Sequence, residues 1–171
     1  MPRKLGVNST QRKMLIMNQA SQLLWYGKIE TTVARAKEVR SYAEKIITLA
    51  INTYDDTIEE QVTVKNDKGK DVTRTVVKDG GKKLAARRKM MAKLNDLQEV
   101  KGFKESKPDF KKRTRAIKSP LIEKIFDEYA PKFAARKEEN NNIGGGYTRI
   151  YKLGPRKGDA AEVAIIEIIN D

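Results

Sequence analysis

Apolar residues recur at helical spacing along most of this chain, and in denser short runs near its end. Met14, Met17, Ser21 and Leu24, widened by Leu15 and Leu23, predict a helix over 11–26. Asn8, Ser9 or Thr10 can cap it, because each side chain can accept from an orphan amide of the first turn. Gly27 stops it by adopting a left-handed cap conformation at no steric cost. Lys28-Ile-Glu-Thr-Thr32 is rich in β-branched residues and reads as a short strand that needs a partner. A second helix is predicted over 33–52, with Ala36, Val39, Ala43, Ile46, Ile47 and Ala50 along one stripe. Its alanines allow close approach to another helix. Arg35, Lys37, Arg40 and Lys45 lie off the stripe.

Residues 59–78 alternate weakly. Val62, Val64 and Val72 stand among threonines around Asn66-Asp-Lys-Gly-Lys70, which predicts a polar β-hairpin too poor in apolar residues for its own core. Gly80-Gly81 separates it from a third helix over 82–97, where Arg87 interrupts the arc of Leu84, Met90, Met91, Leu94 and Leu97. That arginine must snorkel or face a partner. Residues 101–118 are charged and aperiodic, and read as a basic loop that becomes ordered on binding. Ser119 then caps and Pro120 opens a helix carrying Ile122, Ile125, Phe126, Tyr129 and Phe133. Pro131 should end or kink it at Ala130. Gly144-Gly-Gly146 precedes a strand and reads as a joint, with close approach to an RNA backbone as the other reading. Strands over 147–153 and 162–169 flank Gly154-Pro-Arg-Lys-Gly158 as a hairpin. The last strand is apolar at nearly every position, so burial of both faces is expected. The order helix, strand, helices, two strands gives an α+β domain spanning 1–171. It has a small sheet covered on one face by helices, an inserted hairpin at about 53–82 and a basic loop at about 101–118.

Charge sharpens this picture. The chain carries 36 Lys and Arg against 23 Asp and Glu, a formal charge of +13. By segment the net charge is +6 over 1–52, −1 over 53–82, +9 over 83–118 and −1 over 119–171. Two stretches hold the whole excess, and such a protein is drawn to polyanions, nucleic acid first. Cys and His are absent, which removes disulfides, thiol nucleophiles, imidazole metal ligands and a neutral-pH general base. There is no phosphate-binding loop and no nucleophile elbow. Asp55-Asp56 and Glu59-Glu60 match no calcium-loop spacing. No catalytic residue, metal or cofactor is expected. Met1-Pro-Arg-Lys-Leu5 leads into no apolar core, and no apolar run nears 18 residues, so a soluble cytoplasmic protein is expected without membrane contact.

Four segments, taken in order, carry a resemblance. They are Arg3-Lys-Leu-Gly6 leading into Gln11-Arg-Lys13; Lys28-Ile-Glu-Thr-Thr32 with Lys37-Glu-Val-Arg40 and Ile47-Thr-Leu-Ala50; Ala130-Pro-Lys-Phe-Ala134 with Arg136; and Gly145-Gly-Tyr-Thr-Arg-Ile150 with Gly158-Asp159. Together they resemble the family of the bacterial ribosomal large-subunit protein numbered seventeen, over most of 1–52 and 119–171. The chain departs from the family pattern at Gln11, where histidine is usual, and at Val7, where a basic residue is common. Residues 53–118 are longer than in the family's shorter members. The resemblance implies a compact domain with a mixed three-stranded sheet. It also implies assembly onto large-subunit ribosomal RNA of the 23S type, beside neighbouring large-subunit proteins, near the exit of the nascent-chain tunnel.

Residues expected to contact phosphate and sugar are Arg3, Lys4, Arg12, Lys13, Lys37, Arg40, Arg149, Arg156 and Lys157. Arg87 and Arg88 on the third helix, with Lys111, Lys112, Arg113 and Arg115 in the basic loop, complete the set. Tyr147 is a candidate for base stacking, with a place in the core as the preferred reading. Two further classes stand beside a structural ribosomal subunit: a free nucleic-acid regulator or architectural protein, and a lysine- or carboxylate-based enzyme.

Overall fold

A computed structural model describes residues 5–65 and 71–169; Arg3 and Lys4 and the hairpin turn at 66–70 lie outside the described residues. Helix α1 (Ser9–Tyr26) begins at Asn8, whose side chain accepts from the Gln11 amide at 2.8 Å. It ends at Gly27, whose φ of 81° places it in the left-handed region and whose N–H reaches the Leu23 carbonyl at 2.8 Å. Its buried face is Ile16, Ala20, Ser21, Leu23 and Leu24, whereas Met14 is exposed. The first turns are therefore rotated from the Met14–Met17 stripe, since Ile16, Ala20 and Leu23 form an equally regular ridge and the short Ala20 suits close packing. Strand β1 (Lys28–Thr32) leads directly into α2 (Val33–Ile51), where Ala36, Val39, Ala43, Ile46, Ile47 and Ala50 are all buried as the stripe predicted.

Strands β2 (Thr57–Lys65) and β3 (Asp71–Asp79) pair only with each other, antiparallel. Ile58, Val76 and Val77 stay exposed, so this hairpin adds little to the core. Helix α3 (Gly81–Met91) stops short of the expected Leu97. The reason is that side chains of other helices take its onward backbone: the Tyr42 hydroxyl donates to the Lys93 carbonyl at 2.7 Å, and Ser21 Oγ accepts from the Asn95 amide at 2.9 Å. Leu94 is still buried beyond the helix end.

The stretch expected to be a loop contains helix α4 (Lys107–Thr114). Ser106 caps it by accepting from the Asp109 amide, and Pro108 and Asp109 fit its first turn, so local capping outweighs the charge repulsion. Ser119 takes the N-cap position of α5 (Pro120–Lys124) but makes no side-chain cap bond. Pro131 neither ends nor breaks the helical path. A π-helical turn, Ile125–Tyr129, passes into α6 (Ala130–Glu139), with the Ala130 amide donating to the Ile125 carbonyl five residues back. The widened turn makes room at the point where proline lacks an N–H and its ring would crowd the preceding turn.

Strands β4 (Thr148–Pro155) and β5 (Glu162–Ile168) form a three-stranded sheet with β1, in the order β1-β5-β4. The α+β architecture holds, but the sheet is antiparallel throughout rather than mixed. A short turn obliges β4 and β5 to be antiparallel, whereas the long helical excursion from β1 leaves its direction to packing. Helices cover one face, where Ile166 lies between Ile29 and Ile150 in register. On the other face Ile165 and Glu167 are half-buried, so β5 is central yet not closed on both sides. Leu23, Leu24, Ile47, Leu121, Ile125, Phe133 and Ile166 are almost fully buried in one cluster, each contributing about 1.5–3 kcal/mol through removal from water.

Candidate nucleic-acid interface

The outer face of α2 is built by helical repetition. Lys37, Arg40, Ser41, Glu44, Lys45 and Thr48 line one shallow groove opposite the buried alanine stripe. A second hollow, between α1 and α2, is lined by Arg12, Lys13, Ile16, Glu38, Ser41, Tyr42 and Lys45. Ser41 and Lys45 belong to both, so the hollows adjoin. The fold thus brings together Arg12, Lys13, Lys37 and Arg40, and adds Lys45. That lysine's signal in the sequence was its place one and two turns beyond Ser41 and Lys37.

Within this face Arg12 pairs with Glu38 at 2.5 Å, and Arg40 Nε lies 3.3 Å from Glu44 Oε1. The same Glu44 oxygen accepts from Thr148 Oγ1 at 2.9 Å, which ties α2 to the start of β4. Lys13, Lys37 and Lys45 are exposed. Each can match a phosphate as a compact, mobile charge at the end of a flexible stem.

The remaining expected contacts fall elsewhere. Arg149 lies on the open face of the sheet, across from Glu167, which also faces Lys28 in register. Arg156 and Lys157 are at the β4–β5 turn. There the Arg156 guanidinium grips Asp159 through Nη2 and Nε, at 2.7 and 3.0 Å, and holds that carboxyl below the usual carboxylate range. Lys111, Lys112 and Arg115 are exposed on and just beyond α4, and line a shallow hollow with Pro108 and Thr114. Arg88 is exposed along α3, whose last turn it shares with Lys89.

Two arginines are shared between pairs of carboxylates, Arg87 in a part-buried position and Arg113 in an exposed one. Arg87 donates to Asp79 at 2.7 Å and to Glu123 at 2.5 Å, and its guanidinium lies 5.3 Å from the Phe126 ring centre. Burial disfavours its charge, but the hydrogen bonds to Glu123 and Asp79 more than offset this and raise its pKa. It joins the hairpin root, α3 and α5. Arg113 bonds Glu105 at 3.2 Å and also Glu99, pinning the preceding loop to α4. Tyr147 is buried, 4.8 Å from the Phe133 ring, which places it in the core.

Among the described residues, no group of three acidic or other metal-ligating side chains is placed to hold an ion, and no helix is long and apolar enough to cross a membrane. Asp56, one of the acidic pair in the sequence, spends its carboxylate on capping α3.

Comparison with known proteins leads to the same reading. A family model described as ribosomal protein L17 matches residues 15–169. The chain is 40% identical over 186 aligned positions to the large ribosomal subunit protein bL17 of Lachnospira eligens, covering 98% of both chains. It is 35% identical to the proteins of that name from Acetivibrio thermocellus and Clostridium acetobutylicum, covering 98% of this chain in each case and 98% and 96% of theirs. With the family model matched over residues 15–169 and relatives matched over 98% of each chain, this chain belongs to the ribosomal protein L17 family.

Proposed function

We propose that this protein is a non-enzymatic, structural constituent of the large ribosomal subunit that binds 23S-type ribosomal RNA through its basic surface. Family membership supports the structural role in the subunit, in the cytoplasm, with ribosomal RNA and neighbouring ribosomal proteins as partners. A position near the nascent-chain tunnel exit rests on the family resemblance. The whole chain acts as one domain, with the β2–β3 hairpin and the α4 region as insertions.

The observation that carries RNA binding is the continuous outer face of α1 and α2, where exposed Lys13, Lys37 and Lys45 adjoin Arg12 and Arg40. Ammonium and guanidinium groups on a rigid helix surface read backbone shape in folded RNA, whose deep, narrow major groove is closed to side chains. Lys111, Lys112 and Arg115 in the α4 region, with Arg88, Arg149, Arg156 and Lys157, extend the interface, as do Arg3 and Lys4. Arg87 serves the fold instead, and Arg113 divides its guanidinium between Glu99 and Glu105 on the surface.

The test is the salt dependence of binding to large-subunit RNA. The full-length protein should show a steep log–log slope, and changing Lys13, Lys37 and Lys45 together to Ala should flatten it by about 0.7–0.9 for each phosphate no longer neutralised. An unchanged slope would remove this face from the interface. Sedimentation with large subunits in high salt separates this reading from a free regulator, which would stay near the top of the gradient.

A further inference from the structure

Phe103 is fully exposed, the most exposed large apolar side chain among the described residues. It sits in the loop between α3 and α4, in a turn where the Glu105 amide donates to the Gly102 carbonyl at 3.1 Å. The Glu105 carboxylate accepts from the Gly102 amide at 3.2 Å, closing the turn a second time. From α4, Arg113 holds Glu105 on one side of Phe103 in the chain and Glu99 on the other. Hydrogen bonding to Arg113 keeps the Glu105 carboxyl below its usual range, in keeping with the close Arg113–Glu105 contact. Phe103 is thus presented outward by a loop fastened on both sides.

One exposed apolar residue is ordinary. What distinguishes Phe103 is its surroundings. Lys101, Lys104 and Lys107 are exposed within four residues of it, and Lys111, Lys112 and Arg115 are exposed along the helix that pins the loop. The nearby acids are mostly engaged: Glu99 and Glu105 by Arg113, and Asp109 by the Ser106 hydroxyl at 2.6 Å. An apolar pocket of a protein partner would meet lysines around this ring, at a cost in desolvation. An unpaired nucleotide meets what it needs, a π-face for the base and cations for its flanking phosphates.

We propose that Phe103 stacks on an unpaired base of ribosomal RNA, with Lys101, Lys104 and Lys107 holding the adjoining phosphates. This rests on the RNA-binding function above and adds a contact that net charge alone does not supply. Stacking is a non-ionic term, so it raises affinity without releasing counterions.

The experiment measures binding of the full-length protein to large-subunit RNA across a salt series, for wild type and for Phe103→Ala, Phe103→Leu and Phe103→Trp. Phe103→Ala and Phe103→Leu should each weaken binding between about 5-fold and 150-fold, with the log–log salt slope unchanged. Phe103→Trp should keep the affinity, and its fluorescence should be quenched by RNA beyond any change seen from Trp25 in the wild type. Equal affinity of Phe103→Ala and wild type would overturn the proposal. Wild-type affinity in Phe103→Leu would replace stacking by an apolar contact, and an unquenched Phe103→Trp would deny that the ring meets a base. A wild type that binds RNA normally beside an unaffected Phe103→Ala defeats only this inference. A wild type that fails to bind defeats the RNA-binding function and this contact with it.

Discussion

The carboxylate of Asp56 occupies the space that a side chain at position 80 would need: a β-carbon on Gly80 would lie 2.4 Å from Asp56 Cγ. Asp56 Oδ2 accepts from the Lys82 and Lys83 amides at 2.7 and 3.2 Å, and the Gly80 amide donates to the Asp56 carbonyl at 2.8 Å. The cap of α3 thus comes from across the hairpin, 26 residues away in sequence. Gly80 has an ordinary φ of −68°, so glycine is required here for space and not for backbone freedom.

Gly80→Ala should therefore behave like removal of a cap. Asp56 must swing away, leaving two amides unpaired, and Asp56→Ala removes the same bonds directly. Each change should cost about 0.5–2 kcal/mol, read as a shift of the denaturation midpoint. The two effects should not add, because both break one interaction. Full additivity in the double variant would mean that the two residues act separately.

Arg87 and Arg88 are adjacent but have opposite duties. Arg87→Ala should destabilise the fold by about 1–3 kcal/mol, because it strands Glu123, leaves Asp79 with Lys83 at 3.6 Å, and uncovers Phe126. Its salt slope for RNA binding should stay at the wild-type value. Arg88→Ala should leave the unfolding midpoint within about 0.5 kcal/mol of wild type and lower RNA affinity. A reversal of the two effects would assign the residues the other way round.

Alkaline unfolding should depend on Tyr129. Burial, reinforced by the charge of Glu128, pushes its phenol up to about 12 from the ordinary 10.0, while its hydroxyl donates to the Leu24 carbonyl at 3.0 Å. The folded state thus favours the neutral phenol. Its contribution is complete below about pH 10 and disappears as pH rises through about 12. Tyr129→Phe should cost about 1 kcal/mol near neutrality, since the Leu24 carbonyl is deprived of its donor. It should also make stability fall less steeply than wild type between those two values. Parallel stability–pH curves for the two proteins would sink this assignment.

Replacing residues 59–78 by a short Gly-Ser linker should leave the fold within about 0.5 kcal/mol of wild type, since the exposed hairpin strands pair only with each other. The cut must spare Asp56 and Asp79, which hold α3 and Arg87. Extending the deletion to 55–80 should lower the melting temperature sharply. If the shorter replacement melted the protein equally, the hairpin would be part of the core.

Short-range chemistry was legible in the sequence. The bounds of β1 come from β-branched residues between Gly27 and a helical pattern, and the buried stripe of α2 from its alanine and isoleucine spacing. The +13 charge and the ordered motifs already pointed to RNA and to the L17 family. Tertiary structure decided what depends on distant partners. Nothing near Met91 announces the end of α3, because Tyr42 and Ser21 take the onward backbone from other helices. The local sequence around Pro131 signals a break, yet a π-helical turn inside the packed core absorbs it. Most of all, Lys and Arg look alike along the chain, and only the fold shows which cations meet a carboxylate first. Arg87 has its charge satisfied in a part-buried site by Asp79 and Glu123, while Lys13, Lys37 and Lys45 stand on an exposed helix face. A charge count is a property of composition, but a charge available to phosphate is set by what lies within about 4 Å of it.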